Sequence, residues 1–251
     1  MKTRLILSGA YGRMGRAVYE ATLLSDKYEI VAGVDTKDGG ALPFPVYSRI
    51  SDVAECADVI VDFSHHSAAK DVLDYAIAKS IPAVIATTGH DEDEIAYIEN
   101  ASKSVAVFYS RNMSIGINLT IALAKKAAAV LGTSFDIEIV EEHHSKKLDA
   151  PSGTALMIAD AIKDTLDSEC QYVYDRHLER RERTPGEIGI HSVRGGSIVG
   201  EHEVIFAGKD EVIRIHHSAF SREVFAKGAL SAAGFLAEQT PGYYNMEDMM
   251  K

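Results

Sequence analysis

The chain has 251 residues, of which 46% are hydrophobic and 25% are charged, and its formal net charge is −11. This length allows one large domain or two modest ones, each with a buried core. The acidic balance excludes a general nucleic-acid binder, which needs basic surface to displace counterions, and argues against docking on anionic membranes.

The sequence carries no signal for secretion or for a membrane anchor. The N-terminal MKTRLILSGAYGRMG has too short an apolar run for a signal peptide, and no apolar run approaches the roughly 20 residues of a spanning helix. Cys56 and Cys170 form neither a CxxC pair nor a metal-binding spacing, which predicts two reduced thiols. We therefore expect a cytoplasmic protein.

The N-terminal part alternates short apolar runs with segments of helical spacing. The runs predict five buried strands, over residues 4–9, 28–35, 58–64, 82–89 and 105–110. Apolar strands that alternate with helices indicate a parallel sheet covered on both faces. The fold class predicted for this part is α/β, with a Rossmann-like, doubly wound parallel sheet.

The pattern changes after Asn112. A helix is predicted over 115–132, a half-buried strand from Phe135, and a second helix from Pro151 to about Asp167. The polar segment 170–189 reads mostly as loop. Three strand candidates and a final helix follow, over residues 190–196, 200–208, 211–219 and 222–239. We predict an α+β domain with an open mixed sheet, whereas the pattern leaves open where the final helix packs.

A glycine pattern stands between the first strand and the first helix. Gly9, Gly12 and Gly15 allow a tight turn, a close approach of the backbone to a pyrophosphate and close helix packing. Asp35 ends the second strand, where a carboxylate accepts hydrogen bonds from the hydroxyls of the adenosine ribose. The combination predicts dinucleotide binding rather than a purely structural turn.

Two later strand ends support this prediction. The segments ATTG (86–89) and SRNMS (110–114) follow the fourth and fifth strands and are small or polar. Ligands of open α/β sheets bind at the carboxyl ends of strands, so both suit the nicotinamide and its ribose. Each alone is equally compatible with an ordinary turn.

The stretch HHSKKLDAPSGTAL (143–156) collects cations in front of a helix start. Lys147 and the histidines could face an anion or supply a proton, and Gly153 and Thr154 could hold a carboxylate at the helix N-terminus. Lys146 is expected to be a solvated surface residue.

Paired histidines also raise the alternative of a metal site. Adjacent histidines on a strand point to opposite faces and rarely chelate one ion, so we predict no metal. For the pair His65–His66, lining of the cofactor site and a surface position are both open. The pair His216–His217 is expected at the surface.

Six stretches together resemble the 4-hydroxy-tetrahydrodipicolinate reductase family, also called dihydrodipicolinate reductases: GAYGRMGR, VDFS, ATTG, HHSKKLDAPSGTAL, VRGGSIVGEHEVIF and SREVFAKGAL. The resemblance implies NAD(P)H-dependent reduction of 4-hydroxy-tetrahydrodipicolinate to tetrahydrodipicolinate in diaminopimelate and lysine biosynthesis, with NADH or NADPH as cofactor. It implies a small dicarboxylate as the substrate and a homotetramer formed through the substrate-domain sheets. It also implies a split dinucleotide-binding domain, 1–113 with 223–251, around a substrate-binding and oligomerisation domain, 114–222.

The resemblance further implies residue roles. His143 and Lys147 correspond to the catalytic residues, and His144, Gly153 and Thr154 to the residues that bind the substrate carboxylates. The cofactor-binding positions are Gly9, Ala10, Tyr11, Gly12, Arg13, Met14, Asp35, Ala86, Thr87, Thr88, Ser110, Arg111, Asn112 and Met113.

The chain departs from the family in its cofactor-binding stretches, where Tyr11 and Ala86 replace common glycines and Met113 a common aromatic residue. Thr36, and then Lys37, stand where an Arg often follows the ribose-binding acid. These positions bear on cofactor affinity and choice, and a modest preference for NADH is expected.

Two other functions compete with this reading. A two-domain dehydrogenase of the semialdehyde type needs a nucleophilic cysteine in its second domain, and only Cys170 could serve. A non-catalytic NADH-sensing regulator would have no reason to place His143 and Lys147 before a helix start.

Overall fold

The computed structural model describes residues 1–166, 169–177 and 180–251, and the chain forms two compact units. The first unit consists of residues 1–115 and 222–251, and the second of residues 116–221. The first unit is therefore discontinuous in sequence, and the second is inserted into it.

The N-terminal part of the first unit alternates strands and helices. Its elements are β1 (Thr3–Ser8), α1 (Arg13–Leu23), β2 (Tyr28–Val34), β3 (Val46–Tyr47), β4 (Val59–Asp62), α2 (Ala69–Lys79), β5 (Ala83–Ile85), α3 (Glu92–Ala101) and β6 (Ala106–Tyr109).

The second unit contains two long helices and five strands. These are α4 (Ile115–Leu131), β7 (Asp136–His143), α5 (Gly153–Leu166), β8 (Gln171–Val173), β9 (Glu187–Arg194), β10 (Gly200–Ala207) and β11 (Val212–Ala219). The C-terminal elements return to the first unit as α6 (Glu223–Leu236), β12 (Gly242–Tyr244) and α7 (Met246–Met249).

Seven parallel strands form the sheet of the first unit, in the order β12-β6-β5-β4-β1-β2-β3. Helices α1 and α6 cover one face of the sheet, and α2 and α3 cover the other, each over a separate apolar core. The strands are apolar on both sides because both faces are buried. The predicted Rossmann-like sheet is confirmed, and the carboxyl ends of β1, β4, β5 and β6 lie along one edge.

Five strands form the sheet of the second unit, in the order β11-β10-β7-β9-β8. Strand β10 pairs antiparallel with β7 and β11, whereas β9 pairs parallel with β7 and β8. Residues such as Ile137 and Ile139 pack from one face of the sheet against α4 and α5. The predicted mixed sheet is confirmed.

Several elements differ from the sequence prediction. Strand β8 lies inside the segment predicted to be mostly loop, and β9 begins at Glu187, three residues before the predicted strand. The short edge strands β3 and β12 were not predicted, because two or three residues give no readable periodicity. The predicted end of α5 near Asp167 lies outside the described residues.

Helix α4 with its following turn, Ile115–Ser134, is the one helix among the described residues that is long and apolar enough to cross a membrane by length and composition. The prediction that no apolar segment approaches this length was therefore wrong for α4. Its alanine-rich face, which includes Ala124 and Ala128, packs in the core of the second unit, whereas Leu119, Leu123 and Val130 are exposed.

Candidate active site

At two positions of the glycine loop after β1, the neighbouring backbone leaves no space for a side chain. A Cβ on Gly9, whose φ is +79°, would lie 2.7 Å from the carbonyl oxygen of Phe63. A Cβ on Gly15 would lie 2.1 Å from the carbonyl oxygen of Gly9. The loop and the start of α1 are therefore packed backbone against backbone, which leaves a closely approachable surface for a phosphate.

The remaining loop residues lead into α1. Ala10 is buried, and its N–H donates to the carbonyl of Val34. Helix α1 begins at Arg13, directly after Gly12, and no side chain of the described residues caps it. The first-turn N–H groups, among them those of Arg13 and Met14, thus point out of the helix toward the loop, as in anion-binding helix starts.

Asp35 follows β2 and ties that strand end to the glycine loop. Its Oδ2 accepts the N–H of Tyr11 at 2.9 Å, and its Oδ1 accepts the N–H of Lys37 at 3.0 Å. Each carboxylate oxygen keeps a further lone pair for a ribose hydroxyl. The Tyr11 ring packs on Gly39, where a Cβ would lie 2.3 Å from the ring. The structure thus brings together Asp35 and Tyr11, both predicted cofactor-binding residues.

The two later cofactor-binding segments lie at the same edge of the sheet. The N–H of Ala86 donates to the carbonyl of Asp62 at 3.0 Å. Ala86 and Thr87 are buried, whereas Thr88 is exposed. The segment after β5 is therefore fastened to the end of β4 and presents Thr88 to solvent.

The segment after β6 holds itself in a turn. The Ser110 hydroxyl donates to the carbonyl of Asn112 at 2.8 Å. Arg111 is exposed, whereas Met113 is buried in the core beside α6. A Cβ on Gly228 would lie 1.7 Å from the Met113 carbonyl oxygen, so α6 packs directly on this backbone.

Asp62, at the end of β4, was missed by the sequence analysis. It is fully buried and accepts hydrogen bonds from the Ser64 hydroxyl at 2.6 Å and the Thr87 hydroxyl at 3.4 Å. Desolvation raises the pKa of its carboxyl, although these hydrogen bonds oppose the rise. The sequence signal that could have identified Asp62 is an acidic residue at the end of an apolar run, as in VIVD.

The histidine pair at 65–66 has partners of its own. His66 Nδ1 lies 2.8 Å from the carboxylate of Glu94, and His65 Nδ1 lies 2.9 Å from the Ser67 hydroxyl. His90, which the sequence analysis did not single out, bonds the Thr87 hydroxyl through Nε2 at 3.1 Å.

In the second unit, His143 is the last residue of β7 rather than part of the loop that follows. The buried face of β7 carries Ile137, Ile139, Glu141 and His143 in alternation. The carboxylate of Glu141 is fully buried and lies 2.5 Å from His143 Nδ1. Arg194 on β9 donates two hydrogen bonds to the same carboxylate, of 2.8 and 2.6 Å.

Glu141 and Arg194 were missed as functional residues. The signal for Glu141 was its position, because the alternation of β7 places it where an apolar residue is expected. Desolvation opposes ionisation of Glu141, but hydrogen bonds from Arg194, Ser192 and His143 outweigh it and lower the pKa of the Glu141 carboxyl to about 2. Burial lowers the pKa of His143, and Glu141 only partly offsets this effect.

The loop after β7 places Lys147 close to this cluster. Its ammonium group lies 2.9 Å from the Asp149 carboxylate, and its N–H donates to the carbonyl of His144. The Lys147 side chain is only 20% exposed, whereas Lys146 is exposed as predicted. Arg194 also donates to the Asp149 carbonyl at 2.7 Å, which ties the loop to the buried pair.

Helix α5 starts beside the same carboxylate. The Ser152 hydroxyl accepts the Ala155 N–H at 3.1 Å, and the Ser152 N–H donates to Glu141 at 3.1 Å. Gly153, which is exposed, and Thr154 form the first turn, whose N–H groups point out of the helix start. A carboxylate at this helix start would be favoured by the helix dipole.

His202 on β10 completes the buried part of the cluster. Its Nε2 lies 3.0 Å from the Ser152 hydroxyl, and its ring centroid lies 5.3 Å from that of His143. Burial lowers the pKa of His202 to about 3, so this imidazole is neutral at pH 7.

The geometry bears on two alternative functions, a metal site and a nucleophilic cysteine. Among the described residues, no group of three or more His, Cys, Asp or Glu side chains could hold a metal ion. Cys170 is buried in the core of the second unit, where a nucleophile could not reach a substrate.

Two family models match the chain and together span nearly all of it. The N-terminal model of dihydrodipicolinate reductase matches residues 3–113, and the C-terminal model matches residues 116–250. The chain is 55% identical to 4-hydroxy-tetrahydrodipicolinate reductase of Caldanaerobacter subterraneus subsp. tengcongensis, over 100% of this chain and 99% of that protein. It is 47% identical to the protein of the same name from Clostridium tetani, over 100% and 98% of the two chains.

Solved structures share the fold. The dipicolinate-bound dihydrodipicolinate reductase of Paenisporosarcina sp. TG-14 superposes with a TM-score of 0.83 at 24% identity, over 98% of both chains. A myo-inositol dehydrogenase of Corynebacterium glutamicum superposes with a TM-score of 0.63 at 17% identity, over 99% of this chain and 92% of that one.

Proposed function

The chain belongs to the dihydrodipicolinate reductase family, and on that premise we propose the roles that its residues take in the reaction. It is an NAD(P)H-dependent oxidoreductase that reduces 4-hydroxy-tetrahydrodipicolinate to tetrahydrodipicolinate, a step of diaminopimelate and lysine biosynthesis. The net reaction exchanges a hydroxyl for a hydrogen. It consumes one hydride and one proton and releases water, so the protein must bind a hydride donor and manage a proton.

The first unit binds the nicotinamide cofactor, which when bound supplies the hydride. The packed glycine loop and the uncapped start of α1 suit the pyrophosphate, and Asp35 suits the adenosine ribose. The segments Ala86–Thr88 and Ser110–Met113 hold the nicotinamide and its ribose. They lie at the carboxyl edge of the sheet, where open α/β sheets bind ligands.

The second unit binds the dicarboxylate. Lys147 pairs with one substrate carboxylate, which takes the place that Asp149 occupies on its ammonium group. The N–H groups of Gly153 and Thr154 and the Thr154 hydroxyl hold a carboxylate at the start of α5, with His144 beside them. A dianion is favoured here because cations and a helix dipole converge on one small region.

His143 handles the proton, with Lys147 as its partner. Nδ1 of His143 is hydrogen-bonded to Glu141, so Nε2 is the nitrogen left to exchange a proton with the substrate. Burial lowers the pKa of His143 in the free protein. The negative charges of a bound dicarboxylate act in the opposite direction and favour the imidazolium that donates the proton. A positioned acid contributes roughly 10²–10⁴-fold to the rate.

Both cofactors serve, with NADH preferred by less than about tenfold in kcat/KM, a difference of ~1.4 kcal/mol. Asp35 favours free ribose hydroxyls and repels a 2′-phosphate. Lys37 stands two residues after Asp35, and Arg13 lies in the glycine loop. Both are exposed cations, and they offset part of the repulsion.

The protein assembles as a cytoplasmic homotetramer through the sheets of the second unit. The support is the face of that sheet opposite α4 and α5, which leaves apolar side chains exposed, including Val193 (44%) and Val212 (53%). A half-exposed sheet face of this kind is typical of a surface that pairs with a second copy.

One observation carries the proposal, namely full-length similarity at 55% identity to a named reductase in a chain whose cationic cluster is built around His143. The test is a coupled assay, in which pyruvate and aspartate semialdehyde are condensed enzymatically and the nicotinamide absorbance is followed after this protein is added. Loss of absorbance that depends on both the condensation product and this protein supports the proposal. An absorbance that stays unchanged with NADH and also with NADPH would refute the proposal.

A further inference from the structure

Besides the Ser192 side chain opposite it on β9, the carboxylate of Glu141 has three different partners at once. It lies 2.5 Å from His143 Nδ1, it accepts two hydrogen bonds from Arg194, and it accepts the Ser152 N–H at 3.1 Å. Each partner leads to a different part of the cluster. His143 handles the proton, Ser152 starts α5, and Arg194 is tied to the Asp149 carbonyl of the lysine loop.

We propose that Glu141 is a positioning residue of the reaction, which fixes the proton of His143 on Nδ1 and so reserves Nε2 for the substrate. The inference rests on the proposed function of His143. Its physical basis is simple, because an ionised carboxylate only accepts hydrogen bonds, and a neutral imidazole has one donor and one acceptor nitrogen. Next to Glu141, Nδ1 must be the donor, and Nε2 must therefore carry the lone pair.

Arg194 makes this arrangement stable. A buried carboxylate without a partner would take up a proton, and a protonated Glu141 could donate to Nδ1 and reverse the tautomer. The two-point contact with Arg194 keeps the carboxylate ionised. The same guanidinium holds the loop of Lys147, so the orientation of His143 and the position of the lysine loop depend on one ion pair.

The charged and titratable groups that face His143 come from four elements. They are Glu141 on β7, Arg194 on β9, His202 on β10 and Lys147 in the loop. Only Glu141 raises the pKa of His143, while burial, Lys147 and Arg194 lower it. Removal of the Glu141 charge should therefore lower the pKa of His143, and any step that needs the imidazolium should be lost at lower pH.

The test compares Glu141→Gln with Glu142→Gln in the full chain. Glu142 is the matched control, because it is the next residue of β7 and lies on the opposite face of the sheet. The histidines are labelled with ¹⁵N, and His143 is assigned from the signal that is missing in His143→Gln. Tautomer and pKa of His143 are measured by NMR, and kcat is measured across the same pH range.

We expect the wild type and Glu142→Gln to show a neutral His143 protonated on Nδ1. In Glu141→Gln we expect a mixed or reversed tautomer and a lower pKa of His143. The descending limb of kcat should move to lower pH by the same amount, with a loss of roughly tenfold or more at pH 8. KM for NADH should change less than about twofold, because the cofactor is bound by the first unit.

The positioning role of Glu141 and the proton-transfer role of His143 can be refuted separately. Unchanged tautomer and pKa of His143 in Glu141→Gln would overturn the positioning role and leave the role of His143 intact. A changed tautomer with an unchanged kcat profile would instead remove His143 from the proton transfer. If Glu141→Gln does not fold, Glu141→Asp replaces it, because Asp moves the carboxylate away from His143 by one methylene group. The tautomer and pKa of His143 and the pH dependence of kcat are then measured in the same way.

Discussion

The ammonium group of Lys147 and the carboxylate of Asp149 form an ion pair at 2.9 Å, although the Lys147 side chain is only one-fifth exposed and that of Asp149 is 59% exposed. The pair joins a sheltered cation to a solvent-exposed anion two residues away. In the role proposed for Lys147, a substrate carboxylate replaces Asp149, and the displaced group faces water, so no buried charge is left unpaired.

Replacing Lys147 by Ala should remove most of the activity while cofactor binding survives. Loss of a charge-assisted contact costs roughly 1.5–3 kcal/mol, or roughly ten- to a hundredfold in kcat/KM, and more if a proton donor is lost with it. Steady-state kinetics and NADH titration measure the two effects separately. Lys146→Ala is the control, because its side chain is exposed, and an unchanged kcat/KM in Lys147→Ala would contradict the assignment.

His143→Gln should lower kcat and flatten its dependence on pH. The wild-type rate should fall as the pH rises through the pKa of His143 in the substrate complex, because only the imidazolium donates a proton. Gln at this position does not titrate, so the falling limb should disappear. His216→Gln, on β11 and bonded to Ser218, serves as the control. Persistence of the wild-type profile in His143→Gln would show that another group titrates.

Asp35→Ser should shift cofactor preference toward NADPH, and Lys37→Ala should shift it toward NADH. Two unit charges ~4 Å apart near a surface interact by ~4 kcal/mol before screening, so attraction and repulsion of a 2′-phosphate are of similar size. Because Asp35 also holds the Tyr11 N–H, both affinities should fall in Asp35→Ser, and the informative quantity is the ratio of kcat/KM values at low salt. Asp38→Ser is the control, and a constant ratio in Asp35→Ser would mean that Asp35 does not face the ribose.

Asp62→Asn should make the stability of the protein less sensitive to pH. Folding raises the pKa of Asp62 through desolvation, so the wild type loses stability as the pH rises above the pKa of an unfolded aspartate. Asn cannot ionise and keeps the size of the side chain, so the free energy of unfolding should gain on that of the wild type as the pH rises above the pKa of an unfolded aspartate, until the folded carboxyl is ionised. Denaturant melts across this pH range measure the effect, with exposed Asp26→Asn as the control. Parallel curves for Asp62→Asn and the wild type would contradict the prediction.

The sequence pattern predicted those parts of the fold whose periodicity extends over many residues. The five predicted strands of the first unit lie within or within one residue of their predicted segments, although β5 has only three residues. The helices α4, α5 and α6 are also found close to their predicted positions. Strand β8 was missed because its three residues lie in a charged segment, and their strand character comes from pairing with β9. Long-range pairing of this kind leaves no local signal.

The candidate site was predictable where a motif carries its own chemistry, as in the glycine loop and the stretch from His143 to Thr154. Arg194 lies 53 residues from Glu141, and only the parallel pairing of β7 and β9 brings them together. Asp62 was hidden for a related reason, since a single acid at the end of a strand acquires its buried surroundings only when the neighbouring strands assemble.

The insertion of the second unit into the first has a consequence for synthesis of the chain. Helix α6 covers the same face of the parallel sheet as α1, and its residues, including Ala229 and Leu236, belong to that core. They are made only after the whole inserted unit has been translated. When synthesis has reached residue 221, this face of the parallel sheet is therefore covered by α1 alone. The Met113 backbone, on which α6 packs through Gly228, is likewise without this neighbour until the end of the chain has been made, although the glycine loop of the same unit is translated first.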